Sequence, residues 1–387
     1  MKGHSTPHTR GNALATLAYR GLVIVLSALA AVGQIAYLDV LYWDTLGLGR
    51  LAQGGIHPAL FSSVVTGVVI TAVASAAALT LVFKGDGDRG ARPLGLALSA
   101  WGYLLAYSGL TVLLAPDGNS PLRTPFDIHF LLVEALGSAA LLRFTAVFPA
   151  PLTVADLSPA QELPVGLRAV QLFRGWLLTP AAPWIAAVLA TGVVVTVNAA
   201  MGRPVEDAAL LLLTDVLRLG TLALVILNMR RAFVVGDTQR RRAMFWFVVG
   251  FTILLGAVGV LLGGNILTAV TGWEIPGFNW RPVVLDTGVL GLIWGAAMGV
   301  FYQGPMKPGN VSRKLAVAAT AVTLGLFLSA GLESLMAGVI ATRVTLPRGI
   351  GTVVALVAVG ILYARTRRPI ESMIYHAWAP AGDRQES

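Results

Sequence analysis

The chain has 387 residues and no cysteine. Disulfides, thiolate metal ligands and thiol nucleophiles are excluded together, and cysteine usage says nothing about redox compartment. Charge is scarce as well, at 12% of residues, too little to cover the surface of a soluble domain of this size. Lysine is confined to Lys2, Lys84, Lys307 and Lys314, all in predicted loops. A retinal-type Schiff base, which needs a buried amine, is therefore not expected. No HExxH, GxSxG or P-loop motif occurs. The five histidines (His4, His8, His57, His129 and His376) show no metal-ligand spacing. His57 and His129 could share an outer metal or haem site, but two unrelated interface histidines explain them more simply. No catalytic residue, metal or cofactor is expected, and the chain does not read as an enzyme.

Hydrophobic residues make up 56% of the chain, and the mean hydropathy is +0.75. The 43 glycines suit membrane helices that approach each other closely. The expected fold class is an all-α integral membrane protein, a polytopic bundle of about ten transmembrane helices. Apolar runs of bilayer length fall near 21–43, 59–83, 94–115, 128–148, 180–200, 208–230, 244–264, 282–302, 315–340 and 349–366. With the N-terminus inside, 20 Lys+Arg fall on the cytoplasmic side. Six (Arg50, Arg123, Arg203, Arg281, Arg343 and Arg348) fall in outer loops, and Arg143 and Arg218 lie within spans. This bias obeys the positive-inside rule and puts both termini in the cytoplasm. It also explains the net charge of +9 without a nucleic-acid partner.

The expected organisation has four parts. Residues 1–20 are a polar cytoplasmic tail and 21–302 an eight-span membrane domain. Residues 303–366 are a two-span C-terminal hairpin, and 367–387 an exit segment and tail. The longest cytoplasmic loop, 149–180, carries an amphipathic stretch with Arg168 and Arg174 that could lie flat on the inner leaflet.

Polar groups at membrane depth are the functional candidates, because burying them costs free energy unless they are paired or hydrated. Asp215 and Arg218 lie three residues apart on one helix face and can neutralise each other. Glu134 and Glu333 have no partner on their own helices and must face the bundle interior. Arg143 lies nine residues beyond Glu134, about 13 Å along a helix at 1.5 Å per residue, and is expected to snorkel to the inner interface. Glu134, Asp215, Arg218 and Glu333 are therefore candidates for a ligand site or ion pathway. For the Asp215–Arg218 pair, a lock on helix packing is the favoured account ahead of a ligand or ion site.

Two stretches resemble a known family. One is RFTAVFPAPL at 143–152. The other reads GLIWGAAMGVFYQGPMKP from Gly291 and, two spans later, LYARTRRPIESMIYHAW to Trp378. Together they are similar to the multi-pass membrane input region of bacterial sensor histidine kinases and related signalling proteins. The resemblance implies a bacterial cytoplasmic-membrane location and an output segment carried by Arg367, Arg368, Pro369, Ile370 and Ile374. Neither a phospho-accepting histidine pattern nor a glycine-rich ATP lid follows, so kinase activity is not implied. The expectation is a membrane-embedded sensor or regulatory module. It would bind a ligand among its spans or outer loops and signal to a cytoplasmic protein. A transporter or channel using the four buried charges is the rival expectation, and a structural subunit of a membrane complex a third.

Overall fold

A computed structural model describes residues 8–39, 61–84, 90–114, 123–148, 151–157, 165–201, 208–235 and 238–271, together with 284, 288–289, 291–293 and 295. The described residues are helical, with short turns between helices. Among the described residues nine α-helices follow in order: α1 (His8–Leu38), α2 (Phe61–Lys84), α3 (Ala91–Leu105), α4 (Tyr107–Leu114), α5 (Arg123–Val147), α6 (Val165–Leu177), α7 (Ala182–Met201), α8 (Ala208–Val235) and α9 (Thr238–Thr271), with a 3-10 turn at Val154–Asp156. By contact the chain divides into two units, 1–58 with 67–274 and 284–307, and 59–66 with 275–283 and 308–387. Helix α1 and the helical packing from residue 67 to 271 lie within the first unit.

Among the described residues, three helical stretches are long and apolar enough to cross a membrane: Leu14–Leu38, Pro125–Val147 and Phe247–Gly264. The outward faces of the helices are apolar, with Leu189 61% and Ile35 60% exposed. Such faces suit hydrocarbon as solvent and would be unusual on a water-soluble monomer. The expected spans at 282–302, 315–340 and 349–366 lie largely or wholly outside the described residues. So do Glu333 and the segment Arg367, Arg368, Pro369, Ile370 and Ile374.

Two expected boundaries differ. The stretch 8–20, read as a polar tail, is helical and runs without a break into the apolar part of α1. The expected span 94–115 is two helices, interrupted at Ala106. Ser108 and Gly109 follow that break, and a Ser/Gly pair is a common cause of a kink. Gly109 packs against the backbone of Gly33 in α1 so closely that a Cβ would overlap it. The interruption frees carbonyls at the end of α3. Gln34 of α1 serves one, donating to the Leu105 carbonyl at 3.3 Å and to Thr71 Oγ1 at 3.0 Å. In hydrocarbon a freed backbone group has to be met from a neighbouring helix in this way. Asp39, just past the end of α1, is buried.

Helix α5 is the centre of the arrangement, packing against α3, α4, α7 and α8. Glycine makes the tight contacts possible: a Cβ at Gly137 would stand 2.9 Å from Ala100 of α3. At the Val147 end, Phe144 and Phe148 pack on Phe247 of α9 with ring centroids 4.9 and 5.2 Å away. These spacings suit attractive aromatic pairing. The RFTAVFPAPL stretch thus ends α5 and anchors α9.

Candidate functional site

Helices α7 and α8 both lean on α5 but touch each other sparsely. The gap is a cleft of about 420 Å³. Its floor is α5, its walls are α7 and α8, and Phe173 and Leu177 of α6 border one end. The lining is mostly alanine, leucine and valine, with Glu134, Ser138, Thr191, Arg218 and Thr221 as its polar members. Val216 and Leu217, at the α8 edge, are 53% and 39% exposed. The cleft therefore opens sideways, toward the apolar flank of the helices.

Glu134 sits near the middle of α5 and is 7% exposed. Arg218 reaches it from α8, 84 positions away in sequence. The guanidinium binds both carboxylate oxygens, Nη2 donating to Oε2 at 2.7 Å and Nε donating to Oε1. This fork is the strongest geometry open to an arginine and a carboxylate. The arginine is the more accessible partner, with 28% of its side chain exposed against 8% for the glutamate. The Glu134–Arg218 pair places both charges, and the bonds that satisfy them, on the wall of an otherwise apolar cleft.

Of the four expected site residues, the structure brings Glu134 and Arg218 together. The side chain of Asp215 and all of Glu333 lie outside the described residues. Arg143 Nη1 donates to the Leu178 carbonyl at 3.3 Å.

Sequence reasoning missed two polar clusters. The first holds α6 in place. Arg174 of α6 is 8% exposed and donates from Nε to Asn228 Oδ1 at 2.7 Å and from Nη2 to the Leu227 carbonyl at 2.8 Å. Asn228 Nδ2 donates in turn to Thr145 Oγ1 at 3.4 Å. Nearby, Arg231 Nε donates to the Asp156 carbonyl. The Asp156 carboxylate closes its own turn by accepting from Thr153 N at 2.7 Å and Oγ1 at 2.8 Å. The Thr153 N–H first, then its hydroxyl and the Arg231 charge, hold the Asp156 carboxyl below the usual carboxylate range. Helix α6 meets α7 at 112° and leaves Leu172, Phe173 and Trp176 exposed. The one sequence signal for this cluster was an asparagine, Asn228, inside an apolar helix.

The second cluster lies toward the other end of α5. Tyr103 OH is 3.2 Å from His129 Nδ1, and Tyr107 OH donates to Asp127 Oδ1 at 2.9 Å. His129 is thus engaged by a tyrosine, His57 lies outside the described residues, and no group of three or more metal-ligating side chains occurs among the described residues. No family model, curated protein or solved structure matches the chain.

Proposed function

We propose that this chain is a polytopic membrane protein that binds a lipophilic ligand between α7 and α8 and acts as a sensor or regulatory module. One observation carries the reading: a laterally open apolar cleft with an interhelical ion pair on its wall. A pocket of this size and lining falls within the range of small-molecule sites. An ion pair serving packing alone would sit better where no cavity reaches it. About ten spans, both termini in the cytoplasm and a bacterial cytoplasmic membrane complete the proposal, supported by the arginine bias and the resemblance of Gly291–Trp378 to sensor input regions. The output would pass to a cytoplasmic protein through Arg367, Arg368, Pro369, Ile370 and Ile374.

The test is extraction. Purified protein is stripped with organic solvent and its bound small molecules compared with those of Ala187→Trp, which fills the cleft. A lipophilic species present in the first and missing from the second supports the proposal. Identical profiles count against it. Truncation after Ala364 that leaves signalling intact would remove the exit segment from the output.

The transporter reading has a specific observation behind it too, since the Glu134–Arg218 pair borders the cleft at membrane depth. Flux in proteoliposomes that vanishes in Glu134→Gln would favour transport over sensing.

A further inference from the structure

We propose that the cleft takes a single-chain lipophilic carboxylic acid, and that the acid binds by exchanging places with Glu134 on Arg218. This deepens the ligand-binding reading above and rests on it.

Size comes first. A cleft of about 420 Å³ holds roughly fourteen heavy-atom volumes at ~30 Å³ each, the volume of a water in the liquid. That accommodates one medium-length chain with a small head. The lateral opening past Val216 and Leu217 admits such a molecule from the hydrocarbon. Glu134 and Arg218 carry the charge on walls that are otherwise mostly apolar, with Ser138, Thr191 and Thr221 as the remaining polar members, so a ligand with one polar end and an apolar chain matches the lining.

Charge decides the head. Glu134 and Arg218 are the charged residues that line the cleft among the described residues. An anion arriving alone would add a net charge at membrane depth, which is strongly opposed. A cation would have to displace the guanidinium from a carboxylate that is itself almost fully covered. A neutral acid meets neither obstacle. It enters protonated, gives its proton to Glu134, and its carboxylate takes the two-pronged position on the Arg218 guanidinium. One O–H bond breaks on the ligand and one forms on Glu134, and the charge of the site is unchanged. The greater exposure of Arg218 puts the guanidinium, and not the carboxylate, where an incoming head reaches it.

No other charged group among the described residues lines the cleft as a rival contact. On the helices packed around α5, Tyr103 and Tyr107 are engaged with His129 and Asp127, and Arg174 of α6 is held by Asn228 and the Leu227 carbonyl. Arg143 on α5 itself is at the Leu178 carbonyl.

The experiment uses the full chain in lipid nanodiscs and tritiated dodecanoic acid, a molecule of fourteen heavy atoms. Dodecanoic acid is ionised in water at pH 7, as carboxylic acids are, so binding by exchange takes up one proton per ligand. Apparent affinity should fall tenfold per pH unit between pH 7 and 8. Glu134→Gln cannot accept the proton, so its affinity should be flat over that interval. Arg218→Gln should bind methyl dodecanoate as the native chain does and lose its preference for the acid. Ala187→Trp and, as a milder plug, Ala190→Phe should bind neither, with circular dichroism confirming that each is folded. Equal competition by methyl dodecanoate and the acid, or a pH-independent native affinity, overturns the exchange and leaves the cleft as a site. Native-like acid binding in both folded plug variants overturns the cleft itself.

Discussion

Take the charge pair apart one side at a time. In Glu134→Leu the Arg218 guanidinium keeps its charge, because arginine does not deprotonate in proteins. Breaking a buried pair by removing one partner costs about 3–5 kcal/mol. The Arg218 side chain is 28% exposed, so the low end applies, about 3 kcal/mol. In Arg218→Met the orphaned carboxyl can take up a proton and lose its charge, and the cost is smaller, about 1–3 kcal/mol for a polar group left without its partners. The double variant, Glu134→Leu with Arg218→Met, removes both charges and refills most of the volume, and such replacements are neutral or stabilising by about 1–4 kcal/mol. The expected order of stability is therefore double variant at or above native, then Arg218→Met, then Glu134→Leu. Reversible unfolding in mixed detergent micelles measures all four corners of the cycle. A Glu134→Leu variant as stable as native would show that the two side chains are not paired. A double variant worse than the sum of its parts would refute the desolvation reasoning behind the order.

Other perturbations test the same packing. Arg174→Ala leaves Asn228 without its guanidinium partner and should cost about 2 kcal/mol, as expected for a buried polar group whose partner is lost. The chain has no cysteine, so a single Ala169→Cys carrying an environment-sensitive dye reports whether α6 loosens, and an unchanged spectrum would count against the network. Gly109→Ala forces a Cβ into the Gly33 backbone and should prevent α1 and α4 from packing. Loss of monodisperse protein on gel filtration is the expected result, and a native elution profile the contrary one. The Asp156 carboxyl is held low by Thr153, so the turn it caps is fully stabilised above the unfolded carboxylate range, near about 3.9. That stabilisation is lost as pH falls through the depressed value. The protection factor of the Thr153 amide should fall between pH 6 and about pH 2 in the native chain and stay unchanged in Asp156→Asn.

Apolar runs located most of the described helices, because bilayer-length hydrophobic runs admit few other structures. They placed α5, α7 and α8 within a few residues of their ends, and they singled out Glu134 and Arg218 as charges needing company. Their company was less legible. Arg218 had a nearby candidate in Asp215, and local spacing on one helix is all a single sequence displays. That Arg218 binds Glu134 depends on α8 crossing α5 at one height, a tertiary fact that spacing along a single helix does not carry. Arg174 illustrates the same limit from the other side. On sequence it read as a charge for the polar face of a surface helix. In the fold it turns inward to Asn228 and leaves Leu172, Phe173 and Trp176 facing out. An arginine points inward only where hydrogen-bond acceptors already wait for it, here Asn228 and a backbone carbonyl of α8. Those acceptors also explain why α6 can end against the cleft: the bonds that bury Arg174 carry Phe173 and Leu177 to the border of the same cavity that Glu134 and Arg218 line. A ligand in that cavity would press on α6 as well as on the ion pair, which makes α6 the described element best placed to carry occupancy out of the helical core.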